Sequence, residues 1–253
     1  MQCKGNLLNL REISLGSDKE TVTHFTIKGH SSQCSRLINL RENLLIGISP
    51  FNSRFSPDYV EALLVWGHKN FAKVDVLLPD EESAVKLLLA TGRPAGKAMR
   101  KTRQELNRLR RIVVHVIEKM GALAIHSKVF HFSDFEQNPE YQSLKLATQN
   151  CYESCGKFRA ACINMSAQAI RGRIGNRGRN DELLNKVNLA IPYIFAEMPF
   201  YLNSPAIMQV NSSVMAYHRL WPIGDALFSG EFSLHVDKRQ GHGVIAAFEA
   251  YSV

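Results

Sequence analysis

Leu44-Leu45-Ile46-Gly47-Ile48-Ser49-Pro50-Phe51-Asn52-Ser53-Arg54-Phe55 is the stretch that decides how this chain reads. A short apolar run closed by turn residues predicts a strand buried on both faces of a parallel sheet. Pro50 lacks the N–H that a ladder needs, so the strand stops there and leaves Ser49 at its carboxyl end. Gly47 has no side chain and gives room for close approach to the backbone. A serine carried from a buried strand onto a loop is a candidate nucleophile, although by itself the run is also what any strand followed by a polar turn looks like.

Strands and helices alternate outward from this point. Pro57 to Phe71 reads as an amphipathic helix and Lys73 to Leu78 as the next strand. Glu82 to Ala90 reads as a helix that stops at Gly92, and Pro94 opens a long helix reaching Met120. Ile125 to Phe132 is a third predicted strand, and helices fill most of 139–171 and 181–201. Ile207 to Val210, Phe232 to Val236 and Gly243 to Ala247 are the remaining strand candidates. The pattern predicts an α/β fold: one Rossmann-like domain over residues 1–253, with a mainly parallel sheet flanked by helices. Residues 1–35 form a poorly defined N-terminal segment. Ser49 then lies where open α/β sheets bind ligands, outside the carboxyl end of a strand.

The 253 residues are 45% hydrophobic, enough for a full-sized core. A net charge of +8 and a pI near 9.3 point to an acidic partner, nucleic acid first. No apolar run approaches the about 18 residues of a membrane span, and Met1 to His30 lacks the apolar core of a secretory signal, so a cytoplasmic protein is expected. Cysteines at 3, 34, 151, 155 and 162 make an odd set with no histidine at ligand spacing among 151, 155 and 162. Core packing is their expected role, and neither a metal nor a cofactor is assigned.

Two downstream segments complete a constellation. Tyr193 and Glu197 stand four apart and share one helix face. Ser212-Ser213-Val214-Met215-Ala216-Tyr217-His218 follows. With the serine run, Gly92-Arg93, the basic helix after them and Phe132-Ser133-Asp134-Phe135, the chain from about Leu40 to about residue 245 resembles the tRNA-dependent cyclodipeptide synthases. It is similar in particular to the subgroup marked by Asn, Tyr and His, here Asn52, Tyr217 and His218, and the serine run looks closest to bacillus-type cyclodileucine synthases.

The resemblance implies a core like the catalytic domain of class I tyrosyl- and tryptophanyl-tRNA synthetases. This chain has neither their ATP-binding histidine motif nor their lysine-rich mobile loop, so its substrate should arrive already activated. Two aminoacyl-tRNAs per cycle would be joined into a diketopiperazine by ping-pong acyl transfer through a seryl-linked aminoacyl- then dipeptidyl-enzyme. Ser49 would be the nucleophile, Tyr193 and Glu197 would hold the amino group of the bound residue, and Tyr217 would relay protons during cyclisation. Asn52 and His218 would shape the serine loop. At the usual pKa near 4.3, Glu197 would be ionised at pH 7. Pro192, directly before Tyr193, is expected to kink or restart its helix. Leu45, Gly47, Leu77, Phe132, Phe200 and Met215 align with the first aminoacyl pocket. None is charged, so an apolar residue, leucine before phenylalanine, is the expected substrate.

The long helix supplies an independent hint of RNA. Leu106, Leu109, Val113, Val116, Ile117 and Met120 form an apolar stripe, while Arg100, Lys101, Arg103, Arg108, Arg110 and Arg111 project from the rest of its circumference. Such crowding repels itself unless solvated or opposite phosphates. The resemblance assigns tRNA contacts to this helix. Arg171, Arg173, Arg177 and Arg179, interleaved with glycines, make a second basic element, expected to be a loop. A monomer is expected. Two other readings remain: a serine hydrolase with Ser49, His218 and an acid such as Asp225, and a non-catalytic tRNA-binding protein. Against the first, Phe51 stands where a hydrolase elbow needs glycine. Against the second stands the joint presence of Ser49, Tyr193, Glu197 and Tyr217.

Overall fold

A computed structural model of the chain describes residues 21–174, 180–219 and 222–251. Among them, six strands form one sheet: β1 (Thr21–Gly29), β2 (Asn43–Gly47), β3 (Lys73–Leu78), β4 (Val129–His131), β5 (Ser213–Tyr217) and β6 (Gln240–Tyr251). Their order is β1-β6-β5-β2-β3-β4, and every pairing is parallel except β1 with β6. The chain runs from β2 outward to β3 and β4, then returns to the other side of β2 for β5 and β6. The strand order therefore reverses between β2 and β5.

Eight α-helices among the described residues accompany the sheet: α1 (Ser32–Leu40), α2 (Pro57–Asn70), α3 (Glu81–Leu89), α4 (Ala95–Met120), α5 (Pro139–Ser154), α6 (Gly156–Ile174), α7 (Asn180–Met208) and α8 (Gly224–Phe228). Successive strand residues point to opposite faces and fill two separate cores. Leu44, Ile46, Val74, Val76 and Val214 pack with α1, α2 and the Leu109, Val113 and Val116 stripe of α4. Leu45, Leu77 and Met215 pack with α3, α5, α6 and α7. Burial on both faces is what makes β2 a continuous apolar run, and each such side chain contributes about 1.5–3 kcal/mol.

The amino ends of the central strands are tied by a buried polar chain. Asp75 is fully buried and accepts from Asn43 Nδ2 at 2.9 Å, Lys73 Nζ at 3.0 Å and the Lys128 amide at 3.0 Å. Ser213 Oγ donates to Asn43 Oδ1 at 2.8 Å, which joins β5 to β2. These bonds satisfy the carboxylate and pin the parallel register, leaving the opposite, carboxyl ends for the site.

Several expectations are corrected. Ile207 to Val210 is not a strand. Ile207 belongs to α7, the helix closes at Gln209 with φ 56, and the strand begins at Ser213. Phe232 to Val236 forms no strand, because Phe232 is buried by edge-on packing with Phe158 at 5.1 Å rather than by a ladder. The strand expected over Ile125 to Phe132 is confined to β4, and Ile125 stands 73% exposed. Residues 21–40, left unassigned, form β1 and α1, with Ser31 capping the helix. Pro192 neither breaks nor restarts α7. The non-helical residue there is Asn203, whose Oδ1 accepts from the Ala206 amide and caps the final turn. Arg171 lies in α6, which runs to Ile174, and the rest of the expected Arg/Gly loop, 175–179, lies outside the described residues.

Candidate active site

Period-two alternation carries Leu45, Gly47 and then Ser49 toward the α7 face, and the same alternation carries Met215 and Tyr217 there on the neighbouring β5. Ser49 and Tyr217 thus leave adjacent parallel strands at the point where strand order reverses. Opposite them α7 presents Ala190, Tyr193, Ile194, Glu197 and Tyr201 at three- and four-residue spacing. Ser49, Tyr193, Glu197, Tyr201, Tyr217 and Arg219 line one pocket, which encloses about 640 Å³ with the solvent at its mouth included. Its apolar wall comes from Leu87, Met165, Ala169, Ala190 and Ile194.

Gly47 serves this arrangement differently from its sequence reading. A Cβ there would lie 2.8 Å from Met215 Cε and 3.4 Å from the Tyr217 ring, so the vacated space is filled by protein side chains beside Ser49.

The serine loop has a fixed hydrogen-bond polarity. The Arg54 amide donates to Asn52 Oδ1 at 3.1 Å, which turns Asn52 Nδ2 toward Ser49 Oγ at 3.4 Å and His218 Nε2 at 3.2 Å. His218 Nε2 is therefore the accepting nitrogen and the proton sits on Nδ1, which finds no acceptor among the described residues. Burial, reinforced by Arg219 and Arg54, lowers the His218 pKa to about 4. A neutral imidazole whose lone pair faces Asn52 is a wall of the loop. The hydrolase triad is not assembled, because Asp225 pairs with His30 Nε2 at 2.9 Å.

Burial pushes Glu197 up to about 7, with Arg219 pulling the other way. The expected ordinary carboxylate pKa is therefore corrected upward, to about 7. Tyr201 is held well above the ordinary phenol range by burial and by the nearby Glu197 and Tyr217. Sequence reasoning missed Tyr201, although it stands four residues beyond Glu197 on the face it had singled out. It also missed Leu87, Met165, Ala169, Ala190 and Ile194, which carry only the helical spacing of ordinary core residues.

The expected pocket residues Leu45, Leu77, Phe132, Phe200 and Met215 are at most 2% exposed core residues and do not line this pocket, although Met215 lines a smaller cavity that shares Tyr201, Tyr217 and Arg219 with it. Phe132 packs edge-on to Tyr193 at 5.7 Å and stacks with Phe200 at 5.8 Å, so these rings support the helix face that carries Tyr193.

On α4, Arg100, Lys101, Arg103, Arg110 and Arg111 are exposed. Gly96, Met99, Arg100, Arg103, Gln104, Asn107 and Arg111 line an open groove along one side of the helix. Arg103 pairs with Glu81 at 2.9 Å, and Arg108 turns inward to Glu105. Among the described residues no helix is long and apolar enough to cross a membrane.

The chain is 42% identical over 228 residues to a cyclo(L-leucyl-L-leucyl) synthase of Photorhabdus laumondii, covering 89% of this chain and 97% of that protein. It is 38% identical over 226 residues to a cyclo(L-leucyl-L-leucyl) synthase of Bacillus subtilis, covering 88% and 89%. The crystal structure of a cyclodipeptide synthase from Bacillus thermoamylovorans superposes with a TM-score of 0.81 at 33% identity, covering 88% of this chain and 96% of that one. Residues 25–247, a span that holds the serine loop and α7, match the cyclodipeptide synthase family. The pocket at the reversal of strand order thus belongs to a known kind of enzyme: the chain is a member of the cyclodipeptide synthase family and an enzyme of that class.

Proposed function

We propose that this enzyme joins two aminoacyl-tRNAs into a cyclic dipeptide through Ser49, with leucine its first substrate. The observation that carries the reading is the convergence of Ser49, Tyr193, Glu197 and Tyr217 on one pocket at the strand-order reversal. In the first step Ser49 Oγ attacks the ester carbonyl of an aminoacyl-tRNA. The Oγ–C bond forms, the bond to the ribose oxygen breaks, and the serine proton ends on that oxygen. The α-amine of the seryl-bound residue then attacks the ester carbonyl of the second aminoacyl-tRNA; the N–C bond forms, the bond to the ribose oxygen breaks, and the second tRNA leaves with a proton on that oxygen. Attack in the opposite sense would carry the chain off Ser49 and onto tRNA, and no dipeptidyl-enzyme would form.

An amine must lose its proton to attack. A carboxyl poised near 7 can hold an α-ammonium of pKa about 8 and take that proton, which suits Glu197, while Tyr193 binds the same nitrogen. The free amine of the dipeptidyl group finally attacks the seryl ester, the C–Oγ bond breaks, and Tyr217 relays the proton back to Ser49 Oγ. Leu87, Met165, Ala169, Ala190 and Ile194 favour an apolar side chain, and the Photorhabdus and Bacillus subtilis relatives are named for leucine. One methylene is worth only about 1–3 kcal/mol in such a pocket, so minor products with other apolar residues are expected beside cyclodileucine. We take the enzyme to work as a monomer in the cytoplasm, where charged tRNA is made.

The deciding experiment supplies leucyl-tRNA carrying labelled leucine and follows label onto the Ser49 peptide and into cyclic product by mass spectrometry. Label on Ser49 that moves into cyclodileucine supports the scheme, and product formed without a Ser49 adduct overturns it.

The outward cations of α4, Arg100, Lys101, Arg110 and Arg111, with Arg103 beside them, are proposed to meet tRNA phosphates. Arg108 is the member of the group whose guanidinium is directed elsewhere. Replacing Arg110 and Arg111 together by Ala is expected to raise the Kd for tRNA by about tenfold and to flatten the salt dependence by one to two counterions, with folding unchanged. Filter binding at several salt concentrations measures both, and an unchanged slope would return the helix to a solvated surface.

A further inference from the structure

The loop that carries Ser49 is held by an ion pair on α4, Glu105 with Arg108. Phe51 holds φ 61, the left-handed region that a bulky side chain enters against steric resistance. Its amide donates to Glu105 Oε1 at 3.1 Å. Arg108 donates to the same carboxylate through Nε and Nη2, both at 2.9 Å, and its remaining Nη1 donates to the Phe55 carbonyl at 3.2 Å. One carboxylate and one guanidinium thus hold the loop at two points, two and six residues beyond Ser49, with Asn52 and its bonds to Ser49 and His218 between them.

The Glu105 side chain is 16% exposed and that of Arg108 40%. Burial alone would raise the Glu105 pKa, but the Arg108 hydrogen bonds, the Phe51 amide and the charges of Arg108 and Lys101 outweigh that and hold it below the usual range. The carboxylate stays ionised at neutral pH and its bonds to loop and arginine persist together.

We propose that Glu105 and Arg108 are positioning residues for the nucleophile, holding the strained Phe51 turn so that Ser49 Oγ meets the ester carbonyl at a productive angle. This rests on Ser49 being the nucleophile. It divides α4 by role: the other exposed cations bear on the RNA, and the pair bonded to the loop bears on the serine. A misplacement of about 1 Å at a reacting atom can cost on the order of 100-fold in rate, so release of the turn should appear in the acylation step and not in tRNA affinity.

The test is single-turnover acylation with labelled leucyl-tRNA at several concentrations, on the full chain and on Glu105→Ala, Glu105→Gln, Arg108→Ala and Arg108→Lys. Glu105→Ala is expected to lower the saturating acylation rate by about 100-fold, with the half-saturating tRNA concentration within twofold of the unaltered chain. Glu105→Gln keeps an acceptor for the Phe51 amide and should recover at least about a tenth of the lost rate. Arg108→Ala should fall with Glu105→Ala, and Arg108→Lys should lie between them. A saturating rate unchanged in both alanine variants overturns the proposal, as does an effect confined to the half-saturating concentration, which would mark the pair as an RNA contact. If a variant melts early, the rate is taken per folded molecule below its transition, where a purely structural role would leave it unchanged and so also overturn the positioning role. Absence of label on Ser49 in the unaltered chain would overturn the nucleophile assignment itself, a result distinct from each of these.

Discussion

Ser49→Ala is expected to give a protein that melts with the unaltered chain and forms no covalent aminoacyl adduct, with cyclic dipeptide output down by more than about 1,000-fold. The substitution removes one oxygen, which accepts from Asn52 Nδ2 at 3.4 Å. A contact that long contributes little, so stability should stay within about 0.5 kcal/mol. A hydrolase would also lose activity with its serine. Following labelled leucyl-tRNA into an adduct and then into cyclodileucine, rather than following cleavage of a model ester, separates the two. Product from the alanine variant near the unaltered level would end the covalent mechanism.

Glu197→Gln should separate stability from activity. The folded-state pKa of Glu197 is raised from 4.5 to about 7, so the folded chain keeps a proton that the unfolded chain releases between those values. Stability is therefore fullest below about pH 4.5, declines as pH climbs to about 7, and is flat above, where the ionised buried carboxyl costs on the order of 3 kcal/mol. Glutamine removes that loss. Urea unfolding should show the variant more stable at pH 8 and nearly equal at pH 5. Activity should move the other way. The amide cannot take a proton, so dipeptide formation should fall by more than about 100-fold while the aminoacyl-enzyme on Ser49 accumulates. The unaltered enzyme should gain rate as pH rises through 7, and the variant's residual rate should not follow that limb. Equal stability of the two proteins at pH 8 would show that the carboxyl is solvated, and an unchanged product rate would remove Glu197 from the proton transfer.

The parts of this molecule that were legible in the sequence are those where one local rule acts without competition. Leu44 to Gly47 and Lys73 to Leu78 are buried on both faces and read as apolar runs. The α4 stripe repeats at helical spacing over 26 residues. Tyr193 and Glu197 share a face by spacing alone, and the resemblance brought Ser49, Asn52, Tyr217 and His218 to them. What failed to read was set by distant partners. Strand β5 opens on a buried serine, Ser213, which follows no apolar pattern; the buried acceptor Asn43 Oδ1, 170 residues away in sequence, makes it a strand residue. Pro192 sits inside a helix because tertiary packing of Ile191, Tyr193 and Ile194 outweighs one lost hydrogen bond. The carboxyl of Glu197 reads as a charge in sequence and as a near-neutral group only once the pocket encloses it.

The reversal of strand order has a consequence for how the enzyme comes off the ribosome. The β2 strand finds β3 within about thirty residues of chain, a cheap loop to close, but its other neighbour, β5, is synthesised last but one among the six strands. Until β5 slots between β2 and β6, one edge of β2 is bare, and Ser49 stands without Tyr217 or His218. A nascent or truncated chain ending before Ser213 carries Ser49 and the α7 residues without Tyr217 beside them, so the same topology that builds the pocket also delays its completion until the protein is nearly finished, and leaves an open sheet edge, prone to pairing with other chains, as the hazard of that interval.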